Sequence, residues 1–133
     1  MRMCRNPHVS GRAAAVMRQP GWQALTPFQR RVYGALLRVP SGRVTTYAAL
    51  ARAIDCVSAR AIGQALRRNS LAPAVPCHRV IASDLTLGGF RGRREGPDVD
   101  HKLECLRREG VRFADGRLVS RERLFRFGKE APA

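Results

Sequence analysis

The sequence predicts a small α/β domain, a winged helix-turn-helix with short β elements, and three observations carry that prediction. Helix-start signals recur at Thr26-Pro27, Thr45-Thr46 and Ser58, each just ahead of apolar residues at helical spacing. The later chain changes character, with a β-branched run at Val80-Ile81-Ala82 and a turn signal at Asp115-Gly116. A length of 133 residues, 44% of them hydrophobic, is enough for one core and too little for a second full domain.

Residues 1–20 are basic and irregular, broken by Pro7, Ser10-Gly11 and Pro20, and read as a basic N-terminal arm with at most a short helix near Ala13–Arg18. The domain proper is read as 21–120 and the remainder, 121–133, as a basic, frayed tail. In Leu25-Thr26-Pro27-Phe28-Gln29, Thr26 is the N-cap, Pro27 the first helical residue and Gln29 the other half of a capping box. Phe28, Val32, Ala35 and Leu36 share one face of that helix, which stops before Pro40-Ser41-Gly42.

A second helix capped at Thr45-Thr46 puts Tyr47, Leu50, Ala51 and Ile54 on one face. After a short turn at Asp55-Cys56-Val57, Ser58 caps a third helix to Arg68, with Ala59, Ile62, Ala65 and Leu66 inward and Arg60, Gln64 and Arg67 outward. Two short helices, a tight turn and an outward basic face form the helix-turn-helix layout. A helical hairpin with a solvated charged face fits the same spacing. Gly88-Gly89-Phe90-Arg91-Gly92 and Arg93 to Pro97 make a glycine-rich basic loop, equally compatible with a phosphate cradle, a pocket wall or a surface loop. Asp98 or Asp100 opens a last helix with Val99, Leu103 and Leu106 inward, Glu109 in its final turn and Gly110 past its end. Val111–Val119 reads as a β-hairpin.

The formal charge of +15, from 25 Lys+Arg against 10 Asp+Glu, points to a polyanionic partner, nucleic acid ahead of an anionic membrane. No apolar run approaches the ~20 residues that span a bilayer. Met1-Arg2-Met3-Cys4 does not open a signal peptide, so a soluble, intracellular protein is expected, cytoplasmic or at the nucleoid, or nuclear in a eukaryote. Cys4, Cys56, Cys77 and Cys105 are scattered without metal-ligand spacing, so neither a metal site, a disulfide framework nor a cofactor is expected.

One stretch carries chemistry. Val75-Pro76-Cys77-His78-Arg79-Val80-Ile81 sets a thiol beside an imidazole, behind a stiff proline and ahead of a strand. A thiol near its ordinary value of ~8.5 is mostly protonated at neutral pH and needs a base or a positive field to become a nucleophile. On adjacency alone, a buried cysteine beside a surface histidine is the commoner arrangement.

The flanking residues shift that weighting. Pro76-Cys77-His78-Arg79-Val80-Ile81, with Asn69 eight positions before the cysteine and the helix-turn-helix before that, resembles the C-terminal domain of the O6-alkylguanine-DNA alkyltransferases from about Thr26 to Glu109. The resemblance implies irreversible transfer of an alkyl group from O6 of guanine in duplex DNA to Cys77, once per molecule, by a monomer. It implies that Glu109 holds His78, that His78 acts through a water on Cys77, and that Tyr47 donates a proton to the guanine ring. Asn69 would brace the cysteine loop. Arg60 would fill the gap left by a flipped base in the minor groove, with Gln64, Arg67, Gly63 and Thr46 also at the DNA. Pro76, Val80, Phe90 and Arg91 would line the base pocket, the flipped guanine being read by carbonyls at Cys77 and Val80 and by the N–H of Arg91. Phe90 stands where tyrosine is usual and Arg91 where serine is common, and the loop from Arg91 to Asp100 is longer than usual.

The family's N-terminal domain has no counterpart in the resemblance. Compact relatives, the alkyltransferase-like proteins, carry tryptophan in place of the cysteine and flag lesions for other repair machinery. A lesion sensor working with a repair-protein partner is therefore the alternative to a transferase, and a transcriptional regulator with an incidental Pro-Cys-His is a third reading.

Overall fold

Local capping chemistry sets the helical half of the molecule. In the computed structural model, which describes residues 11–71, 74–88 and 96–127, Thr26 Oγ1 accepts from the Gln29 N–H at 3.0 Å. Gln29 Oε1 accepts in return from the Thr26 N–H at 2.9 Å. This capping box starts helix α3 (Pro27–Leu36). Thr46 and Ser58 cap α4 (Tyr47–Ala53) and α5 (Ala59–Arg67), their hydroxyls accepting from Ala49 and Ala61. The turn between α4 and α5 bends at Asp55, whose φ of 60° lies in the left-handed region that Asp tolerates better than most residues.

Val32, Leu36, Leu50, Ile62 and Leu66 from these helices meet in the main core. Tyr33, absent from the predicted stripe, lies fully buried among them, its hydroxyl donating to the Ala65 carbonyl of α5 at 2.6 Å. Ala59 was placed inward by spacing but is exposed, because it occupies the first position of α5, before the helix has turned onto the core.

The β elements are short. Strand β1 (Thr45–Thr46) pairs in parallel with β2 (Val80–Ile81) in the register Thr45 to Val80, and β3 (Phe113–Ala114) forms a hairpin with β4 (Arg117–Leu118). Val44, Ile81, Leu106, Val111 and Leu118 build a second, smaller core beneath that hairpin.

The short helix expected near Ala13–Arg18 is present as α1 (Gly11–Met17), followed by α2 (Pro20–Gln23), and residues 11–23 bury Ala13, Val16 and Trp22. The C-terminal end departs from the predicted frayed tail. After a 3-10 turn at Arg121–Arg123, the Val44 N–H bonds the Arg123 carbonyl at 2.8 Å and the Phe125 N–H bonds the Val44 carbonyl at 2.7 Å. Phe127 then enters the main core, edge-to-face with Phe125 and beneath the Arg38 guanidinium. The apolar area these residues remove from water offsets the cost of ordering a basic segment.

Helix α6 (Pro97–Arg108) begins at Pro97, with Asp98 and Asp100 in its first turn rather than at its cap. Its inward face is corrected more deeply. Leu103 is 39% exposed, whereas Lys102 is 0% exposed.

Candidate active site

The cysteine is presented by a loop braced from within. Asn69, one residue past the C-cap of α5, accepts from the Leu71 N–H through Oδ1 and donates from Nδ2 to the Val75 carbonyl, both at 2.9 Å. Leu71 also receives the Val75 N–H at 3.0 Å, so the two ends of the loop are tied together twice. Pro76 is buried, and the Cys77 N–H bonds back to the Val75 carbonyl at 2.8 Å. Cys77 thus opens a tight 3-10 turn (Cys77–Arg79) immediately before β2, with its thiol buried. Val80, directly after that turn, is fully buried and paired to Thr45.

His78 is held from the far end of α6. Its Nε2 lies 2.9 Å from Oε2 of Glu109, the C-cap of that helix. A carboxylate is disfavoured there by the helix dipole. Arg79 removes the penalty, donating from Nε to Oε1 at 3.0 Å and from Nη2 to Oε2 at 2.9 Å, a two-pronged grip, while its Nη1 reaches the Val39 carbonyl at 2.9 Å. Burial would raise the Glu109 carboxyl, but the hydrogen bonds and charges of Arg79 and His78 outweigh it and hold the group below the ordinary carboxylate range. An ionised carboxylate only accepts, so the shared proton sits on Nε2 and Nδ1 is left as the basic nitrogen. Burial lowers the His78 pKa, with Arg79 and Lys102 adding to that effect and Glu109 opposing it. The ring is therefore neutral at physiological pH and able to take a proton.

Lys102 is the residue that the sequence reading missed. Its ammonium donates to the Leu87 carbonyl at 2.8 Å inside the protein. Desolvation brings it down to about 7 from an ordinary 10.5, opposed by the charge of Cys77. Attraction between a protonated Lys102 and a thiolate at Cys77 works both ways, so a proton held on Lys102 favours the thiolate. Two phenols feel the same sulfur. Burial first and the Cys77 charge second raise Tyr47, and the same pair of effects pushes Tyr33 up to about 12. Both phenols keep their protons.

Cys77, His78, Glu109 and Tyr47 are thus brought together, with Arg79, Lys102 and Tyr33 added by the structure. A signal for Lys102 did exist: the helical spacing that puts Leu106 inward admits position 102 as readily as 103. Arg60, Gln64 and Arg67 lie on the exposed face of α5, and the Cβ position of Gly63 meets nothing within 4 Å. Thr46 uses its hydroxyl to cap α4. Phe90 and Arg91 lie outside the described residues. Among the described residues no group of three or more metal-ligating side chains occurs and no helix is long and apolar enough to cross a membrane.

Comparison with known proteins identifies the family. A constitutive methylated-DNA–protein-cysteine methyltransferase of Bacillus subtilis is 47% identical over 70 residues, 52% of this chain and 42% of that protein. The methylated-DNA–protein-cysteine methyltransferase of Thermococcus kodakarensis is 43% identical over 100 residues, 74% of this chain and 53% of that protein. The chain spans about half the length of these curated relatives. Among solved structures, the O6-methylguanine-DNA methyltransferase of Pyrococcus kodakaraensis matches with a TM-score of 0.62 at 38% identity, over 74% of this chain and 54% of that one. S. pombe Atl1, in complex with damaged DNA containing O6-carboxymethylguanine, matches at 0.65 and 30% identity, over 74% of this chain and 94% of that one. A family profile described as the DNA-binding domain of 6-O-methylguanine DNA methyltransferase covers residues 27–111, well over half the chain, and the protein belongs to that family.

Proposed function

We propose that this protein repairs O6-alkylguanine in duplex DNA by transferring the alkyl group to its own Cys77, in a single irreversible turnover. The observation that carries the proposal is the buried Cys77 followed by a His78 whose Nε2 is fixed by an ionised Glu109, leaving Nδ1 basic, with the buried Lys102 in electrostatic reach of Cys77.

In the proposed reaction the sulfur forms a bond to the alkyl carbon as the carbon–O6 bond breaks, and the departing electron pair passes to the purine. The thiol proton moves to Nδ1 of His78, directly or through one water, and Tyr47 donates to the guanine ring. Return of the His78 proton to Tyr47 after release leaves guanine, a thioether and an otherwise unchanged protein. Lys102 favours the thiolate form and helps keep His78 neutral, while Asn69 keeps the loop from moving under the nucleophile. The high pKa of Tyr47 suits a donor that must arrive protonated.

DNA would be engaged through α5. Arg60, at the start of that helix, would occupy the gap a flipped base leaves, and Gly63 would offer no side chain against a closely approaching strand. Gln64 and Arg67 follow along the same exposed face. Pro76 and Val80 are assigned to the base pocket, together with Phe90 and Arg91.

A second reading, a non-enzymatic lesion sensor, draws support from Atl1, of which this chain covers 94%. Intact-protein mass after incubation with O6-methylguanine duplex separates the two. The transfer reading expects a gain of one methylene on Cys77 and no turnover, and tight binding without mass gain refutes it in favour of the sensor.

A further inference from the structure

Next to Glu109, on its backbone side, lies a contact the proposed chemistry leaves unused. Arg123, in the 3-10 turn Arg121–Arg123, donates from Nη1 to the Gly42 carbonyl at 3.2 Å. A β-carbon on Gly42 would come to 3.3 Å from that nitrogen and equally to 3.3 Å from the Glu109 carbonyl oxygen. One on Gly110 would come to 3.4 Å from Nη2 of the same guanidinium. Both glycines have left-handed φ, +91° and +90°, so they satisfy two demands at once, a backbone turn and room for a flat cation between turns. Arg123 is itself pinned, since Val44 and Phe125 hydrogen bond across it and Phe127 is buried beyond it.

We infer that Arg123 is a positioning residue for the Glu109–His78 pair, clasping the turn at Gly42 to the end of α6 at Gly110; this rests on the transfer reading. Glu109 is the C-cap, where a helix frays most readily, yet its carboxylate must meet Arg79 and His78 together within 3.0 Å. Arg79 ties that side chain to Val39, while the Arg123 guanidinium bonds the Gly42 carbonyl and packs against Gly110, filling the space between the Gly42 turn and the residue that follows Glu109. Without the clasp the backbone of Glu109 is free to shift, and a hydrogen bond that selects one imidazole tautomer weakens steeply with misalignment.

The test compares full-length wild type, Arg123→Gln and Arg123→Lys by the 15N spectrum of the His78 imidazole without DNA, and by single-turnover transfer from O6-methylguanine duplex at a temperature where all three are folded. In wild type the Nε2–H tautomer dominates. Arg123→Gln is expected to mix the tautomers and slow transfer about tenfold, the scale of a small misplacement of a catalytic group, with lesion-DNA affinity unchanged. Arg123→Lys, which keeps one donor but not the planar fork, falls between. Wild-type tautomer and rate in Arg123→Gln overturn the inference, as does a rate loss that only tracks the unfolded fraction. Should Arg123→Gln not fold, Arg123→Lys decides by the same two readouts. Absence of mass gain in wild type would sink the transfer reading instead, and the His78 spectrum still judges the clasp.

Discussion

Helices α5 and α6 each carry two arginines and behave in opposite ways. Both are amphipathic and arginine-rich, but α5 keeps Arg60, Gln64 and Arg67 in water over a purely apolar inner face of Ile62, Ala65 and Leu66. Helix α6 turns a lysine inward, leaves Leu103 outside, and spends its surface charge internally, with Glu104 bonded to both Arg107 and Arg108. Burying an ammonium costs several kcal/mol unless something inside answers it. Here the Leu87 carbonyl and the charge of a Cys77 thiolate do so in part, and desolvation still brings Lys102 down to about 7. On the proposed function, binding belongs to the α5 face and chemistry to the buried groups between the Cys77 turn and α6. Substitutions in the pocket should damage reaction with any substrate, and substitutions on α5 only reaction with duplex.

The largest effect belongs to the nucleophile. Cys77→Ser is expected to bind lesion duplex as wild type does while gaining no mass with either duplex or the free base O6-benzylguanine. A loss of binding would merge the two regions that the comparison separates. Glu109→Gln comes next, because it removes the charge that fixes His78. Transfer should fall by about 10²-fold, the usual scale for a general base. Its rate should climb with pH toward the free-thiol value of ~8.5 as hydroxide replaces the imidazole. Glu109 also links to stability. Its folded pKa is depressed, so the stability it contributes is present above its ordinary value of 4.5 and is lost as pH falls through the lower folded value. Acid unfolding should therefore begin at lower pH in wild type than in a Glu109→Ala variant.

Lys102→Met sharpens the contrast because activity and stability should move in opposite directions. Unfolded, the ammonium holds its proton to about 10.5, but folded only to about 7, so between those values the unfolded chain binds more protons. Raising pH through that window therefore stabilises wild type. The methionine variant should lose that rise in Tm, be no less stable at pH 7, and transfer roughly tenfold more slowly, a barrier change of about 1.4 kcal/mol. A wild-type Tm that is flat from pH 7 to 10 would show that Lys102 is not desolvated as the geometry requires.

Legibility in the sequence follows the same division. The starts of α3, α4 and α5 could be read because caps at Thr26, Thr46 and Ser58 act over three residues, and their inner faces because periodicity is local. For Lys102 the spacing only admitted an inward position, since whether a lysine is buried there depends on a carbonyl and a thiol far away in sequence. Arg79 sat inside the motif that was read, but its grip on Glu109 spans thirty positions. The order of the C-terminal segment is illegible for a related reason: Phe125 and Phe127, in a stretch that charge makes look irregular, are the signals that it is anchored.

On the α5 face, Arg60→Ala should weaken binding to lesion duplex and slow transfer about fivefold to tenfold. Stacking lost on flipping costs a few kcal/mol, and one inserted side chain offsets only part of it. Reaction with free O6-benzylguanine, which needs no flipping, should be unchanged. Equal loss with both substrates would mean that Arg60 supports the pocket and that the two regions are one.

The smallest effect is expected at Arg67, exposed in the last turn of α5. Nothing in its position reaches the pocket, so its contribution is charge toward a phosphate. A phosphate contact releases about one counterion, so Arg67→Gln should lower the slope of log affinity against log salt by about 0.9. Affinity should fall by roughly threefold near physiological salt, with the damaged-to-undamaged preference unchanged, since phosphate contacts carry no information about the base. If the preference for the lesion falls while the salt slope stays put, Arg67 is reading the distorted duplex, and the α5 face takes part in choosing the substrate as well as holding it.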